Sequence, residues 1–182
     1  MSDELLDIFN ENDVSLGVQK MKSEAHNDGS WHRVAHNWIY NSQNEVLLQL
    51  RASQKLLYPN RWDISAAGHV SANEEVETSA QREIEEEIGI KVRKSDLQFF
   101  RKVNYHIDFN GMNINEITYV YLYKYDHGIA DLSLQKEEVA QIKFVHVDEV
   151  KKELDLCPEN FTPGKEDWFS ILDKIKELNS RK

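Results

Sequence analysis

The sequence has one cysteine, Cys157, three prolines and no long apolar run among its 182 residues. A single cysteine cannot form an internal disulfide, and nothing around Cys157 indicates an activated thiol. No apolar segment approaches the ~18 residues that a membrane-spanning helix needs. The first four residues lack the charged-then-apolar pattern of a signal peptide. We therefore expect a cytoplasmic protein with no membrane partner.

Positive charge is also scarce: 22 Lys and Arg stand against 32 Asp and Glu, which gives a net charge of −10. A broad nucleic-acid surface needs clustered Lys and Arg, so we expect no nucleic-acid polymer as a partner. An acidic protein can still bind an anionic small molecule through a local basic patch or through metal ions. With 40% apolar and 30% charged residues, the chain is typical of one globular domain over residues 1–182.

The order of predicted elements is mixed, with many strands, one central helix and helices at the end. This order predicts a layered α+β fold. It comprises an N-terminal extension or hairpin in 1–30, a core in 32–150 and a C-terminal helix in 163–180. Patterning predicts strands at 5–9, 14–20, 33–40, 45–51, 62–70, 97–103, 105–109, 114–125 and 142–147, a loop or short helical turn at 22–30, and helices at 71–88, 148–156 and from 163.

Short-range signals mark the ends of some of these elements. Ser71 or Asn73 can cap the central helix, and Gly89 stands where a helix C-terminal stop belongs. The dipeptide Asn110-Gly111 is typical of a tight hairpin turn and predicts that the strands around it pair.

The central helix carries a cluster of acidic residues. At about 100° per residue, Glu83, Glu86 and Glu87 fall within an arc of roughly 100°, beside an apolar flank. One flank can therefore be buried while three carboxylates project from its edge. A hard divalent cation such as Mg²⁺ binds such carboxylates together with phosphate oxygens. The alternative is a solvated acidic face.

The surroundings of this cluster favour the metal-binding interpretation. Gly68 is followed by Glu74 and then by Arg82-Glu83-Ile84-Glu85-Glu86-Glu87-Ile88-Gly89-Ile90. This segment resembles the Nudix box, G-x5-E-x7-R-E-U-x-E-E-x-G-U with U a bulky apolar residue, at every defined position. The resemblance implies a Nudix α/β/α sandwich with a mixed sheet and a catalytic loop-helix-loop. It also implies Mg²⁺, with Mn²⁺ as a possible substitute.

The same resemblance assigns roles to residues of the box. Glu83 and Glu87 would be the strongest metal ligands, and Glu86 would be a further ligand. Arg82 would orient the carboxylates and Glu74 would brace the motif. The carbonyl just before Gly68 often joins the metal site in this family. Metal electrostatics and positioning account for most of phosphoryl-transfer catalysis.

A second pattern lies upstream of the box. The segments Trp31-His32-Arg33-Val34-Ala35, Arg51-Ala52-Ser53-Gln54-Lys55 and Gly68-His69, with Pro59 and Trp62, are similar to isopentenyl diphosphate isomerase. That Nudix-fold enzyme does not hydrolyse its substrate. The similarity implies that Arg51 and Lys55 hold a diphosphate, a role that suits a guanidinium fork and an ammonium point charge.

This sequence departs from the isomerase pattern at positions that carry the isomerase chemistry. The cysteine before the Gly-His pair is replaced by Ala67, which cannot transfer a proton. Among the isomerase metal ligands, His32, His69 and Glu116 match. One ligand histidine falls at Ala25, with His26 one place off, and one glutamate falls at Ile114. We therefore favour hydrogen-bonded structural roles for His32 and His69.

Other candidate residues remain open. Glu116 could be a base, a metal ligand or a simple surface acid, and Glu137 and Glu138 lie in a loop where some Nudix enzymes place a base. Trp62, Tyr58, His106 and Phe109 could stack on a nucleobase, although such aromatics more often belong to the core or to a strand face.

The sequence thus predicts a Mg²⁺-dependent hydrolase of a small-molecule diphosphate linkage, in a nucleoside diphosphate derivative. Its catalytic residues would be Arg82, Glu83, Glu86 and Glu116. The alternatives are an isomerase-like enzyme, against which Ala67 argues, and a non-catalytic binding module, against which the intact carboxylates argue. A homodimer is possible.

Overall fold

A computed structural model describes residues 3–130 and 132–181. Nine strands and four α-helices make up the described fold. In chain order they are β1 (Leu5–Phe9), β2 (Ser15–Met21), α1 (Lys22–Asp28), β3 (His32–Tyr40), β4 (Glu45–Arg51), β5 (Trp62–Asp63), β6 (Ala66–His69), α2 (Val76–Ile88), β7 (Gln98–Phe109), β8 (Met112–Lys124), β9 (Val139–His146), α3 (Val147–Leu156) and α4 (Lys165–Ser180).

Seven strands form one mixed sheet. β3 pairs in parallel with β8 and antiparallel with β6, while β4 pairs antiparallel with β5 and β9. β7 and β8 form a long antiparallel hairpin around Asn110-Gly111, both at positive φ, which confirms the predicted turn. The first two strands form a separate two-stranded sheet.

Helices cover both faces of the mixed sheet, and the predicted α+β sandwich is confirmed. Helix α2 packs Ile84 and Ile88 against Ile39 and Leu47 on one face. On the other face, α3 and α4 cover a larger core in which Trp38 meets Trp168 edge to face. Alternating side chains of the same strands therefore enter two different cores, as the pleat of a strand requires. Among the described residues, no helix is long and apolar enough to cross a membrane.

The structure corrects several predicted boundaries. Helix α2 begins at Val76 rather than near residue 71, because Asn73 has φ of 65° and its backbone N–H donates to an Asp7 carboxylate oxygen at 2.8 Å. The strand predicted at 62–70 is two short strands, since it changes partner from β4 to β3.

Two further predictions concern neighbouring segments. The pair of strands predicted at 97–103 and 105–109 is the single strand β7, whose pairing with β8 continues across position 104. Residues 22–28 form a helix that ends at Gly29 in the left-handed region, so the short helical turn was the better of the two readings of that segment. That residues 1–182 form one domain stays a prediction.

Candidate active site

The centre of the acidic cluster is Glu87, in the last turn of α2. Ile84 and Ile88 bury this side of the helix, and Glu87 is only 4% exposed as a result. Two donors reach one of its carboxylate oxygens, Nε2 of Gln49 and the backbone N–H of Ala67, each at 3.2 Å. The carboxylate therefore faces the chain segment that leads into Gly68.

Glu83 lies one turn earlier and contacts the same segment. Its carboxylate occupies the space where a side chain on residue 68 would be, so that a Cβ atom built on Gly68 would overlap it. Gly68 has no unusual φ, so its backbone conformation does not require glycine; a larger residue would instead displace the end of the Glu83 side chain. Close approach of this kind is a common reason for glycine beside a functional group.

Arg82 holds the acidic residues of the motif together. Its guanidinium contacts Glu83 at 2.5 Å, Glu86 at 3.3 Å and Glu74 at 3.0 Å, and it also donates to the backbone carbonyl of His69 at 3.1 Å. The orienting role of Arg82 and the bracing role of Glu74 stay predictions, and each would act through these contacts. The guanidinium fork also ties α2 to the end of β6.

Glu86 differs from its two neighbours. Its side chain is 53% exposed, whereas those of Glu83 and Glu87 are largely enclosed. The expectation that all three carboxylates project together from the edge of the helix is therefore wrong in this respect. Two of them form the enclosed part of the site, and Glu86 lies at its rim.

Burial has a large effect on the two enclosed carboxylates. Desolvation raises the pKa of Glu87 to about 8, and the nearby charge of Glu83 adds to the rise. Desolvation also raises the pKa of Glu83 to about 7, against the opposing effect of Arg82. Ionising two enclosed carboxylates side by side is unfavourable. A divalent cation bound between them offsets this cost. The residues present therefore fit Mg²⁺.

Each of the two cations predicted to hold phosphate is paired with an acid, and the charge of Lys55 acts on Glu87. Nη1 of Arg51 lies 2.7 Å from Asp63, while its Nε donates to the Leu57 carbonyl at 3.0 Å. Lys55 forms an ion pair with Glu138. The two acids were not predicted as partners, because they are distant along the chain.

A second group of potential metal ligands lies at the far end of β6. His26, His32, His69 and Glu116 each offer a ligand atom, and these atoms lie within 4.8 Å of one another. The register of the sheet produces part of this group, since His32 is the β3 partner of Glu116 on β8. Among residues 3–130 and 132–181, the box glutamates form no comparable group.

The protonation of this histidine cluster suits a cation. Nδ1 of His32 is 2.9 Å from the Ser30 carbonyl, which fixes the proton on that nitrogen, and its buried Nε2 has no partner in the described structure. Burial lowers the pKa of His26 to about 4 and that of His69 well below its ordinary value, so the rings are neutral. Burial raises the pKa of Glu116 to about 7.

This geometry changes the interpretation of the histidines. A buried ring nitrogen with a free lone pair, facing two more histidines and a carboxylate, fits a metal ligand better than a hydrogen-bonded structural residue. His26, and not Ala25, is the residue that the structure brings beside His32 and His69. The turn that ends α1 orients position 26, and a spacing rule could not foresee it.

Ala67, which packs against the larger core, has polar neighbours on the adjoining strands. His36 is the β3 partner of Ala67 in the sheet, and its ring stacks on Tyr105 at 6.0 Å between centroids. The Tyr105 hydroxyl donates to Asp167 at 2.7 Å. Burial lowers the pKa of His36 to about 4. No motif pointed to His36 or Tyr105; strand register brings them to the site.

The aromatic side chains suggested for stacking on a base do not form one platform in the described structure. Tyr58 and Phe109 contact each other, with ring centroids 5.9 Å apart. Trp62 lies beneath the Lys143 ammonium at 4.0 Å and packs on the larger core. His106 instead hydrogen-bonds to an amide side chain of β8.

Comparison with known proteins gives a consistent family. The model described as the NUDIX domain matches residues 30–164. The chain is 39% identical over 156 residues to Nudix hydrolase 3 of Arabidopsis thaliana, a match that covers 83% of this chain and 20% of that protein. It is 30% identical over 166 residues to an isopentenyl-diphosphate Delta-isomerase of Pectobacterium atrosepticum, covering 90% and 86% of the two chains.

A solved structure from Deinococcus radiodurans has the same fold. It aligns with a TM-score of 0.70 over 94% of this chain and 99% of that one, at 20% identity. At this identity the likeness supports the arrangement of sheet and helices only.

Proposed function

The chain belongs to the Nudix hydrolase family, and on that premise we propose that it is a Mg²⁺-dependent enzyme that cleaves a diphosphate linkage in a small nucleoside diphosphate derivative. The observation that carries the proposal is an enclosed pair of carboxylates: Glu83, which Arg82 holds against Gly68, and Glu87, which accepts the backbone N–H of Ala67. A binding module that needed no metal would have no use for two buried carboxylates with raised pKa values.

In this proposal Glu83 and Glu87 are the main metal ligands, and Glu86 joins them from the rim. When bound, Mg²⁺ supplies neutralisation of phosphate charge and a more acidic water. Arg82 keeps Glu83 in place through its 2.5 Å contact. Mn²⁺ has a similar preference for oxygen ligands and is expected to substitute for Mg²⁺.

Arg51 and Lys55 are the proposed diphosphate-binding residues. Both side chains are largely enclosed, at 14% and 19% exposure. Arg51 ends β4, and Lys55 lies in the loop that follows it. In each case an acidic partner already compensates the buried positive charge. A diphosphate must therefore compete with Asp63 for Arg51 and with Glu138 for Lys55. This competition favours a substrate with more negative charge than one carboxylate.

We assign the histidine cluster to a second divalent cation, with His26, His32, His69 and Glu116 as its ligands. This cluster is also the observation that favours the second candidate function, an isomerase-like activity on carbon. Ala67 opposes that candidate, because no proton donor or acceptor stands at that position. The hydrolase is therefore the preferred function, with Glu116 as a ligand rather than a base.

The test is release of phosphate or nucleotide from a panel of nucleoside diphosphates, nucleotide sugars, dinucleotides and isoprenoid diphosphates, with and without Mg²⁺. Glu87→Gln is the control, because a neutral amide keeps the two hydrogen bonds of Glu87 but loses its charge. Mg²⁺-dependent turnover that collapses in this variant supports the hydrolase. Interconversion of isoprenoid diphosphate isomers without hydrolysis would support the isomerase instead.

A further inference from the structure

Lys55 and Glu138 form a largely enclosed ion pair between two loops. Their side chains are 19% and 14% exposed, so the pair is shielded from most of the solvent. Lys55 follows β4 in the loop to β5, and Glu138 immediately precedes β9. If one member of an enclosed ion pair leaves, the charge of the other member is left uncompensated, which is unfavourable unless it finds a new partner.

Hydrogen bonds fix both loops to the site. The backbone N–H of Gln135 donates to the carbonyl of Glu87 at 3.0 Å, which attaches the 135–139 segment to the end of α2. The N–H of Ala52 donates to the carbonyl of Glu138 at 2.9 Å, which attaches the same segment to the loop that carries Lys55. These backbone hydrogen bonds do not involve the Lys55 ammonium or the Glu138 carboxylate, so both loops can stay attached when the charged groups change partner.

Both members of the pair act electrically on Glu87. Beyond burial and Glu83, the pKa of Glu87 is lowered by Lys55 and raised by Glu138. The two side chains are therefore within interaction distance of a proposed metal ligand. Glu137, the residue before Glu138, is exposed and is not among the main influences on the pKa of Glu87.

We infer that Lys55 exchanges partners during binding: it neutralises Glu138 in the free protein and moves to the diphosphate when substrate arrives, which leaves Glu138 as an additional ligand for the divalent cation. The inference rests on the proposed function, and it gives Glu138 a defined role that sequence alone left open.

The exchange preserves charge pairing at each stage. In the free protein one ammonium opposes one carboxylate. With substrate present, the ammonium opposes a phosphate oxygen, and the freed carboxylate opposes the divalent cation. Metal and diphosphate would then strengthen each other's binding, because each removes a competitor of the other. The Lys55–Glu138 pair also limits metal binding in the absence of substrate.

The test is Mn²⁺ binding by titration calorimetry, without substrate, in the full-length chain. Lys55→Met is expected to tighten Mn²⁺ binding about fivefold to tenfold, because Glu138 is released. Glu138→Gln alone should weaken or leave unchanged the binding seen in the unaltered chain. The decisive variant is the double substitution, which must lose the gain of Lys55→Met if Glu138 is the ligand that produces it.

Matched controls separate this role from general electrostatics. Lys136→Met and Glu137→Gln remove the same charges from exposed positions in the same segment and should change Mn²⁺ affinity less than twofold. A gain in Lys55→Met that persists in the double variant would come from the lost positive charge alone and would overturn the inference. A Lys55→Met variant that binds Mn²⁺ no better than the unaltered chain would also overturn it.

A second measurement adds a non-hydrolysable diphosphonate to each titration, corrected for Mn²⁺ binding by the diphosphonate itself. It should tighten Mn²⁺ binding in the unaltered chain and do so much less in Lys55→Met. If the unaltered chain hydrolyses diphosphates but shows no such coupling, only this inference fails. If the unaltered chain binds no Mn²⁺, the proposed function fails with it.

Discussion

The carboxylate of Glu83 occupies the volume that a Cβ atom on Gly68 would fill. This contact joins the first defined position of the Nudix motif to one in the middle of it, across 15 residues of chain. It explains in steric terms why a glycine must precede the helix at this distance. It also means that a side chain on residue 68 would displace the Glu83 carboxylate from its place against β6.

Replacing Gly68 by alanine should therefore damage the metal site more than the fold. We expect Gly68→Ala to push the Glu83 carboxylate away from Arg82 and to reduce Mg²⁺-dependent turnover by about 100-fold or more. Gly128→Ala is the matched control, because its Cβ would meet nothing within 4 Å and its φ is not positive. Steady-state kinetics with equal activity in Gly68→Ala and Gly128→Ala would contradict the steric argument.

The contacts of Arg82 lead to a second prediction. Arg82→Lys keeps the positive charge but cannot contact Glu74, Glu83 and the His69 carbonyl at once, because an ammonium lacks the planar fork. Turnover should fall by about 10-fold to 100-fold, as for other residues that orient metal ligands. Arg93→Lys, at a solvent-exposed ion pair with Asp96, should have activity close to that of the unaltered chain.

A weakening of Mg²⁺ affinity in Arg82→Lys, measured by calorimetry, should accompany the loss of turnover. A variant that binds Mg²⁺ normally yet turns over slowly would mean that Arg82 acts on the substrate and does not position the carboxylates.

The raised pKa values of Glu83 and Glu87 predict how stability depends on pH without metal. Each group has an ordinary pKa near 4.5 and a folded pKa of about 7 or about 8. Between these values the folded chain binds more protons than the unfolded chain, so stability falls as pH rises. His26 and His36, with lowered pKa values, have the opposite effect below about pH 6.5. Above about pH 6.5 the two carboxylates therefore determine the expected fall in stability.

We expect the melting temperature of the metal-free protein to fall by about 3–6 °C between pH 6.5 and pH 8.5, which corresponds to about 1–2 kcal/mol for a chain of this size. Glu87→Gln should reduce that fall, and excess Mg²⁺ should abolish most of it. Differential scanning calorimetry in EDTA provides the measurement. A melting temperature that rises over this range in the unaltered chain would show that the carboxylates are not strained in the folded state.

The acidic helix could be predicted because its residues are neighbours along one element. The spacing of Arg82, Glu83 and Glu87 on a helix determines their common side, and Gly89 ends the helix as expected. The start of the helix could not be predicted. Ser71 and Asn73 are residue types that often cap helices. Here contacts with the N-terminal hairpin, including a 2.7 Å hydrogen bond from Ser71 to Glu4, hold them in a turn.

Partners that are distant along the chain account for most of what the sequence left open. Arg51 and Lys55 were predicted to bind phosphate, a role that stays a prediction, but their pairing with Asp63 and Glu138 depends on strand register and loop contacts. The same holds for His36, which reaches the site only because β3 pairs with β6. A single sequence contains no local signal for such pairs.

The histidine cluster gives the last prediction, on metal binding separate from the box. Co²⁺ is a useful probe, since its visible d–d absorption depends on the coordination geometry and on the kind of ligands around the ion. We expect the protein to bind Co²⁺ with a d–d spectrum that changes in His32→Gln, because Nε2 of His32 is buried and has no hydrogen-bond partner among residues 3–130 and 132–181. His127→Gln, on the exposed 126–128 segment, should leave the spectrum unchanged.

Comparison with Glu87→Gln separates the two metal positions. That variant should abolish Mg²⁺-dependent hydrolysis while leaving the Co²⁺ spectrum of the histidine cluster intact. His32→Gln should change the Co²⁺ spectrum and should reduce turnover less than Glu87→Gln does. If both variants altered the spectrum equally, His32 and Glu87 would report one shared metal position, and the assignment of two separate metal positions would be wrong.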